Sequence, residues 1–112
     1  MFLLIYFLCG IMAKTTMLTN GLPGTVAKAL ERIGENLKLA RKKRGITMGQ
    51  MAERAFVSRQ TIAKLERGHP GVSFGNYAVV AYILGLDKQL ENLFAPQSDE
   101  LGYLLDKERF GI

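Results

Sequence analysis

Three side chains that lie close together in the sequence, Arg59, Gln60 and Lys64, can hydrogen-bond to nucleic-acid bases and phosphates. Arg and Lys pair with the O6 and N7 atoms of guanine, and Gln pairs with N6 and N7 of adenine. The same residue types also form the solvated polar face of many small helices. The elements that carry these side chains therefore decide between the two interpretations.

Residues 46–68, ITMGQMAERAFVSRQTIAKLERG, predict two short helices joined by a tight turn. Thr47 can cap the first helix, and Gln50, three residues later, completes a capping box. Ser58 can cap the second helix in the same way. The turn between the two helices then has about three residues, 55–57, which is the usual length in a helix-turn-helix unit.

The apolar spacing predicts how this unit faces the core. Met51, Ala52 and Ala55 share one side of the first helix, while Ile62 and Leu65 share one side of the second. Ala52 is small where the second helix must approach closely. The open side of the second helix then carries Arg59, Gln60, Thr61, Ala63, Lys64 and Arg67.

Positive charge is concentrated around the two-helix unit. Residues 25–70 carry 11 Lys and Arg against 4 Glu, whereas residues 71–112 carry 3 Lys and Arg against 6 Asp and Glu. The net charge of +5 over 112 residues hides this segregation, which matches the electrostatic footprint of a protein that binds a polyanion. The length and the composition are those of one small globular domain.

The residue types favour neither catalysis nor metal binding. Cys9 is the only cysteine and His69 the only histidine, so neither an internal disulfide nor a Cys/His zinc cluster can form. No Ser/His/Asp or Cys/His set and no Gly-rich phosphate loop is evident, and Ser58 is better used as a helix cap. We therefore expect no enzymatic activity, no cofactor and no metal.

The first 12 residues, MFLLIYFLCGIM, are almost entirely apolar. The run is shorter than the ~20 residues that span a bilayer, and it lacks the basic start of a secretory signal. Three interpretations stay open: a translation start assigned too early, with Met12 or Met17 as the true start, a weak membrane anchor, or a segment that pairs between subunits. We favour the first interpretation, in which translation truly starts at Met12 or Met17, because nothing downstream needs the apolar run and an exposed apolar run is a liability.

A long first helix is predicted from about Thr25. Gly34 interrupts it at a modest cost, and Gly45 follows its end. The last turn carries basic residues that complement the helix dipole, and among them Lys42 and Lys43 are expected to lie near a phosphate backbone. The inward stripe of this helix, spaced by steps of three and four, is Val26, Leu30, Ile33, Leu37 and Ala40.

Two more helices are predicted after Gly68. Ser73 caps the fourth helix and Gly85 stops it, while Asp87 caps a short fifth helix that ends before Pro96. The residues expected to close the core from these helices are Tyr77, Val80, Ala81, Leu84, Leu90, Leu93 and Phe94. The apolar surface of the fourth helix is widened by Val79, Tyr82 and Ile83. This wider surface is either a broad core stripe or a subunit contact.

The tail is predicted to form an amphipathic helix after the linker at Gln97 and Ser98. A helix this short is marginal alone, so it either packs on the domain or docks on a partner. Its apolar positions, set between acidic residues, are Leu101, Tyr103, Leu104, Leu105 and Phe110.

The capped pair among five helices resembles the helix-turn-helix domain of phage repressors, the Cro/C1 or XRE-like family, over about residues 30–95. The residues that carry the resemblance are Ala52, Ile62 and Leu65 at the core positions of the motif and the ERG of residues 66–68. This family usually has Gly in the turn, where this chain has Phe56; the turn here therefore differs, or Phe56 adopts a strained backbone conformation. The resemblance also implies that Arg41 pairs with Glu66 to support the reading helix without contacting a base.

The predicted DNA-binding set is Thr47, Met48, Ser58, Arg59, Gln60, Thr61, Lys64, Lys42 and Lys43. Within this set, the resemblance implies that Arg59, Gln60 and Lys64 face bases in the major groove. It also implies that Thr47 and Met48 lie beside the phosphates.

A closer resemblance is to antitoxin subunits of HipB type, small repressors encoded beside HipA-like kinase toxins. It rests on RIGENLKLARKKRGIT at residues 32–47, on VSFGNYAVVAYILGLD at residues 72–87, and on a tail in which DELG is followed by a leucine pair. The resemblance implies a HipA-like kinase toxin as a partner of this chain.

The expected fold is all-α: a five-helix phage-repressor-like helix-turn-helix domain over residues 25–96, between an N-terminal extension, 1–24, and a C-terminal tail, 97–112. The expected function is that of a cytoplasmic, sequence-specific DNA-binding repressor that autoregulates its operon as a homodimer on a palindromic operator, with no membrane partner. The alternative is a protein-binding module that neutralises a toxin, with DNA binding secondary. Charge alone leaves structured RNA open, but A-form RNA hides its major groove.

Overall fold

The computed structural model describes residues 21–111, and all regular structure in this part of the chain is helical. The five α-helices are α1 (Gly24–Lys43), α2 (Met48–Ala55), α3 (Arg59–Glu66), α4 (Phe74–Ile83) and α5 (Glu100–Phe110), and two 3₁₀ helices span Asp87–Asn92 and Pro96–Ser98. The predicted all-α fold is confirmed. None of these helices has both the length and the apolar character needed to cross a bilayer. The apolar run of residues 1–12 lies outside the described residues.

The core lies between α2, α3 and α4, and Leu37 of α1 is buried in it. Met51, Ile62 and Leu65 are fully buried, and Ala52 is buried where α3 approaches α2, as predicted. Each large side chain that leaves water contributes about 1.5–3 kcal/mol to folding, so this cluster fixes the relative placement of α2 and α3. The other members are Leu37, Tyr77, Val80, Ala81 and Leu84.

Two glycines set the distance between α1 and the end of α3. A Cβ atom on Gly34 would lie 2.6 Å from the carbonyl oxygens of Leu65 and Glu66, and a Cβ atom on Gly68 would collide with the carbonyl group of Leu30. Gly68 also has a φ of +75°, which glycine adopts without strain. Gly34, expected to be a mild interruption of α1, is instead required for the close approach of the two backbones.

The three predicted Ser and Thr caps are all present. Thr47 Oγ1 accepts the backbone N–H of Gln50 at 3.0 Å, and Gln50 Oε1 accepts the backbone N–H of Thr47 at 2.9 Å, which completes the capping box. Ser58 and Ser73 each accept, at 3.1 Å, the backbone N–H of the residue three positions later. These bonds satisfy amides that have no partner inside the helix, so they determine where α2, α3 and α4 begin.

The predicted fifth helix differs from the observed one. Asp87 does not cap it: Asp87 is the first residue of a 3₁₀ helix, and no side-chain cap precedes it. Leu90 packs on the core as predicted, but Leu93 is 43% and Phe94 is 94% exposed. The expectation that Leu93 and Phe94 close the core is wrong because the helix ends at Asn92 and a φ of +57° at Phe94 turns the chain away.

The tail forms the predicted helix, α5, and Asp99 caps it by accepting the N–H of Gly102 at 2.9 Å. None of its residues is buried, and its main contacts are with the neighbouring 3₁₀ helix Pro96–Ser98. Part of the stripe predicted for α1 is also open to solvent, because Val26 and Ile33 are each 43% exposed. The structure thus has a tight centre around α2 and α3 and apolar side chains left exposed at both ends of the described region.

Candidate nucleic-acid interface

The turn between α2 and α3 contains a phenylalanine in a conformation typical of glycine. Phe56 has φ 56° and ψ 42°, in the left-handed region, and its side chain is 93% exposed. Its N–H and that of Val57 donate to the carbonyls of Glu53 and Ala52 at 3.3 and 3.0 Å. Of the two alternatives for this turn, the strained backbone at Phe56 is the one observed, and the tight helix-turn-helix connection is kept.

A buried ion pair holds the end of α3. Arg41 donates from Nε to Glu66 Oε2 at 2.6 Å and from Nη2 to Oε1 at 3.0 Å, and each residue is only 7% exposed. Arg41 Nη1 also donates to the carbonyl oxygen of Ile46 at 2.8 Å, just before α2 begins. The hydrogen bonds that Arg41 donates to Glu66 raise the pKa of Arg41, so its guanidinium group stays charged. The pair expected from the resemblance therefore connects α1, the start of α2 and the end of α3.

The exposed side of α3 carries a row of polar side chains. Gln60 and Lys64 are exposed and lie four residues apart, so they share one side of the helix. Arg67, the C-terminal capping residue of α3, is exposed and continues this row by one more turn. The sequence predicts Arg67 on the open side of α3, but the predicted DNA-binding set does not include it. Its spacing of seven residues from Gln60 and three from Lys64 is the signal that would have added it.

Arg59 points away from this row. A Cβ atom built on Gly49 would lie 2.6 Å from an Nη atom of Arg59, so the guanidinium group lies against the first turn of α2. Gly49 was not predicted as part of the site. The only sequence signal was a glycine inside a short helix. Because glycine destabilises a helix, its presence indicates a position where a side chain would interfere with a neighbouring group.

Four other members of the predicted set are engaged within the protein. The hydroxyl groups of Thr47 and Ser58 are helix caps, and Thr61 Oγ1 lies 3.0 Å from Ser58 Oγ. Met48 is half-buried and packs against the core. These residues position α2 and α3 more than they offer free polar groups to a ligand.

Lys42 and Lys43 are exposed in the last turn of α1, directly after Arg41. Because Arg41 contacts both Ile46 and Glu66, this basic turn is held next to the start of α2 and the end of α3. Among residues 21–111, no group of three or more His, Cys, Asp or Glu side chains is arranged to hold a metal ion. The charged side chains exposed on the last turn of α1 and on the open side of α3, Lys42, Lys43, Lys64 and Arg67, are all basic.

Comparison with known families matches residues 37–87 to the HTH_3 model, described as Helix-turn-helix. The match covers 51 of the 112 residues, and over these residues the chain is similar to helix-turn-helix domains. The match begins in the second half of α1, contains α2, α3 and α4, and ends at the start of the first 3₁₀ helix. This match supports the predicted Cro/C1 (XRE-like) family and a DNA-binding regulator, a class that is generally non-enzymatic. Comparisons with curated proteins and with solved structures gave no significant match.

Proposed function

We propose that this protein is a sequence-specific transcriptional repressor that reads DNA with α3. The observation that carries the proposal is the firm placement of α3, through its Ser58 cap and the buried Arg41–Glu66 pair, with Gln60 and Lys64 exposed on one side. The major groove of B-DNA admits an α-helix, and Gln and Lys suit adenine and guanine there.

The surrounding basic residues support the same function. Lys42 and Lys43 are exposed on the turn that leads into α2, where they can neutralise phosphates and release counterions. Contacts of this kind set the position of a protein on the duplex but carry no sequence information. Base contacts from Gln60 and Lys64 and phosphate contacts from α1 are thus separate contributions that variants can distinguish.

We further propose that the repressor acts as a homodimer on a palindromic operator, as the antitoxin of a toxin–antitoxin operon. A single helix-turn-helix unit covers little groove surface, so two units on half-sites one helical turn apart are needed for useful specificity. The resemblance to HipB-type antitoxins supports a HipA-like kinase toxin as the second partner.

The test is binding of the purified protein to the DNA upstream of its own gene and to a scrambled duplex of equal length, each titrated across salt. We expect a preference of about 10³ or more for the upstream DNA that persists near physiological salt. Equal binding to both duplexes that collapses as salt rises would reduce the interface to a basic surface and contradict the proposal.

Three variants separate base reading from charge neutralisation. Gln60→Ala should weaken binding to the operator by about 1–3 kcal/mol and relax the sequence preference, while Lys42→Ala and Lys43→Ala should weaken all duplexes alike and flatten the salt dependence. Lys88→Ala is the matched control, because it removes the same charge from an exposed position on the first 3₁₀ helix. If Gln60→Ala weakens binding to every duplex equally, α3 does not read bases.

A protein-binding module that neutralises a toxin is the second candidate function. It is favoured by the side chains that α5 leaves exposed, among them Leu101, Leu104 and Leu105. Deletion of residues 97–112 should then abolish binding to the product of the neighbouring gene and spare binding to the operator. Intact partner binding after this deletion would exclude the tail as the docking element.

A further inference from the structure

The guanidinium group of Arg59 occupies the place where a side chain at position 49 would project. A Cβ atom on Gly49 would lie 2.6 Å from an Nη atom of Arg59 and 3.0 Å from both its Cζ and its Nε. Because these three atoms of the planar guanidinium group lie at similar distances from the Cβ position, the group lies over Gly49. The missing side chain therefore provides the room for the guanidinium group between α2 and α3.

Arg59 also lies on a different side of α3 from the exposed polar row. Successive residues of an α-helix are rotated by about 100°, so Lys64 lies about 40° from Gln60 but about 140° from Arg59. Arg59 thus flanks the row on the side of α2. In a major groove the base edges form the floor and the sugar–phosphate backbones form the walls, so a side chain displaced to the flank of a reading helix lies towards a wall.

The donors of Arg59 are available to a ligand. The residue is exposed, and the salt bridge formed within residues 21–111 joins Arg41 and Glu66 and does not involve Arg59. A guanidinium group has N–H donors in a planar fork that matches two oxygens of one phosphate. Packing against Gly49 restricts this fork before DNA arrives, which lowers the conformational entropy lost on binding.

We propose that Arg59 binds a backbone phosphate from the position that Gly49 gives it, and that base reading is left to Gln60 and Lys64. Gly49 is then a positioning residue, because it acts on DNA only through Arg59. This inference rests on the proposed DNA-binding function and deepens it. It also replaces the expectation from the family resemblance that Arg59 faces a base.

Gly49→Ala is the first variant. The added methyl group meets the far end of a flexible side chain, and Ala favours a helix more than Gly, so the fold is retained and the guanidinium group moves. We expect about a tenfold loss of affinity for the operator and for the scrambled duplex alike. The slope of log affinity against log salt should fall by about 0.9, the value for one phosphate contact.

A double-mutant cycle separates positioning from a general structural effect. Arg59→Ala should cause a similar loss on both duplexes, and Gly49→Ala should then cause no further loss in the Arg59→Ala background. Gly75→Ala is the matched control, because Gly75 lies in the first turn of α4 and its Cβ would meet only Ser73 Oγ at 3.8 Å. This control should leave both affinities unchanged.

Two results would overturn the inference and leave the proposed function standing. The first is a full loss from Gly49→Ala in the Arg59→Ala background, which would make the two residues independent. The second is a selective loss of operator binding in Arg59→Ala, which would assign Arg59 to a base. The preference of the wild-type protein for the operator tests the proposed function by itself, and the cycle run on the scrambled duplex tests the phosphate contact without reference to that preference. If the wild-type protein binds neither duplex, both the proposed DNA-binding function and the phosphate contact of Arg59 are overturned.

Discussion

The junction between α1 and α3 and the C-terminal helix α5 are both helical, but they are held by different means. At the junction two backbones touch at Gly34 and Gly68, and Arg41 and Glu66 form a buried pair. α5 has a capping aspartate before it and Gly111 in a left-handed conformation after it, yet it buries no side chain. Capping is sufficient to define where a helix starts and stops, while contacts with the rest of the fold define where the helix lies.

This difference matches the two tasks proposed for the two regions. A helix that reads bases must keep its side chains in fixed positions, since a displaced donor loses its partner in the groove. A helix that binds another protein can keep its apolar side chains exposed until the partner covers them. Glu66→Ala and Gly34→Ala loosen the rigid junction, Phe56→Gly relieves strain in the turn before α3, and Leu104→Ala tests how little α5 contributes to the stability of the isolated chain.

Glu66→Ala should have the largest effect on folding. It leaves the buried Arg41 guanidinium without its carboxylate partner, and removal of one member of a buried pair costs about 3–5 kcal/mol. Urea denaturation measures the free energy of unfolding. Glu53→Ala, at an exposed position of α2, is the matched control and should change stability by no more than about 0.5 kcal/mol. A loss below about 1 kcal/mol in Glu66→Ala would mean that the pair does not hold α3.

Gly34→Ala should have the next largest effect. The methyl group would press on two carbonyl oxygens at 2.6 Å, and backbone atoms at this contact cannot move without shifting α1 from α3. Overpacking of this kind costs about 1–3 kcal/mol. Gly24→Ala, at the first residue of α1, has no atom within 4 Å of the added carbon and serves as the control in the same thermal denaturation experiment. Equal melting temperatures for both variants would contradict the requirement for close approach.

Phe56→Gly should stabilise the protein. The left-handed conformation costs a non-glycine residue about 1–2 kcal/mol, and an exposed side chain loses little burial when it is removed. The greater entropy of glycine in the unfolded chain reduces the gain to about 0.5–1 kcal/mol. Phe74→Gly is the control: Phe74 is in the first turn of α4 with ordinary helical geometry, so this change should destabilise. A destabilising Phe56→Gly would indicate contacts of the phenyl ring that outweigh the backbone strain.

Leu104→Ala should have the smallest effect. Leu104 is 58% exposed on α5, so its truncation should change the free energy of unfolding by no more than about 0.5 kcal/mol. Leu84→Ala makes the same chemical change at a core position that is 3% exposed, and it should cost about 2–5 kcal/mol. A loss in Leu104→Ala similar to that in Leu84→Ala would show that α5 packs on the domain in solution.

Much of the fold was predictable because its signals are local. The caps at Thr47, Ser58 and Ser73 lie within three residues of the amides that they satisfy, so the starts of α2, α3 and α4 follow from short patterns. The apolar spacing of α3 likewise identified Ile62 and Leu65 as core residues. The same reasoning failed after Asp87, because helical spacing alone does not show that the chain leaves the core at Leu93 and Phe94.

The candidate site was predictable in residue type but not in geometry. The amino-acid sequence by itself determined the capped helix pair, its basic surroundings and the polar side chains on the open side of α3, since each depends on residues only a few positions apart. The tertiary structure alone decided that Gly34 is a contact between backbones and that Gly49 lies under Arg59. These features depend on the distance between helices, and that distance is set by the packing of side chains from several elements at once.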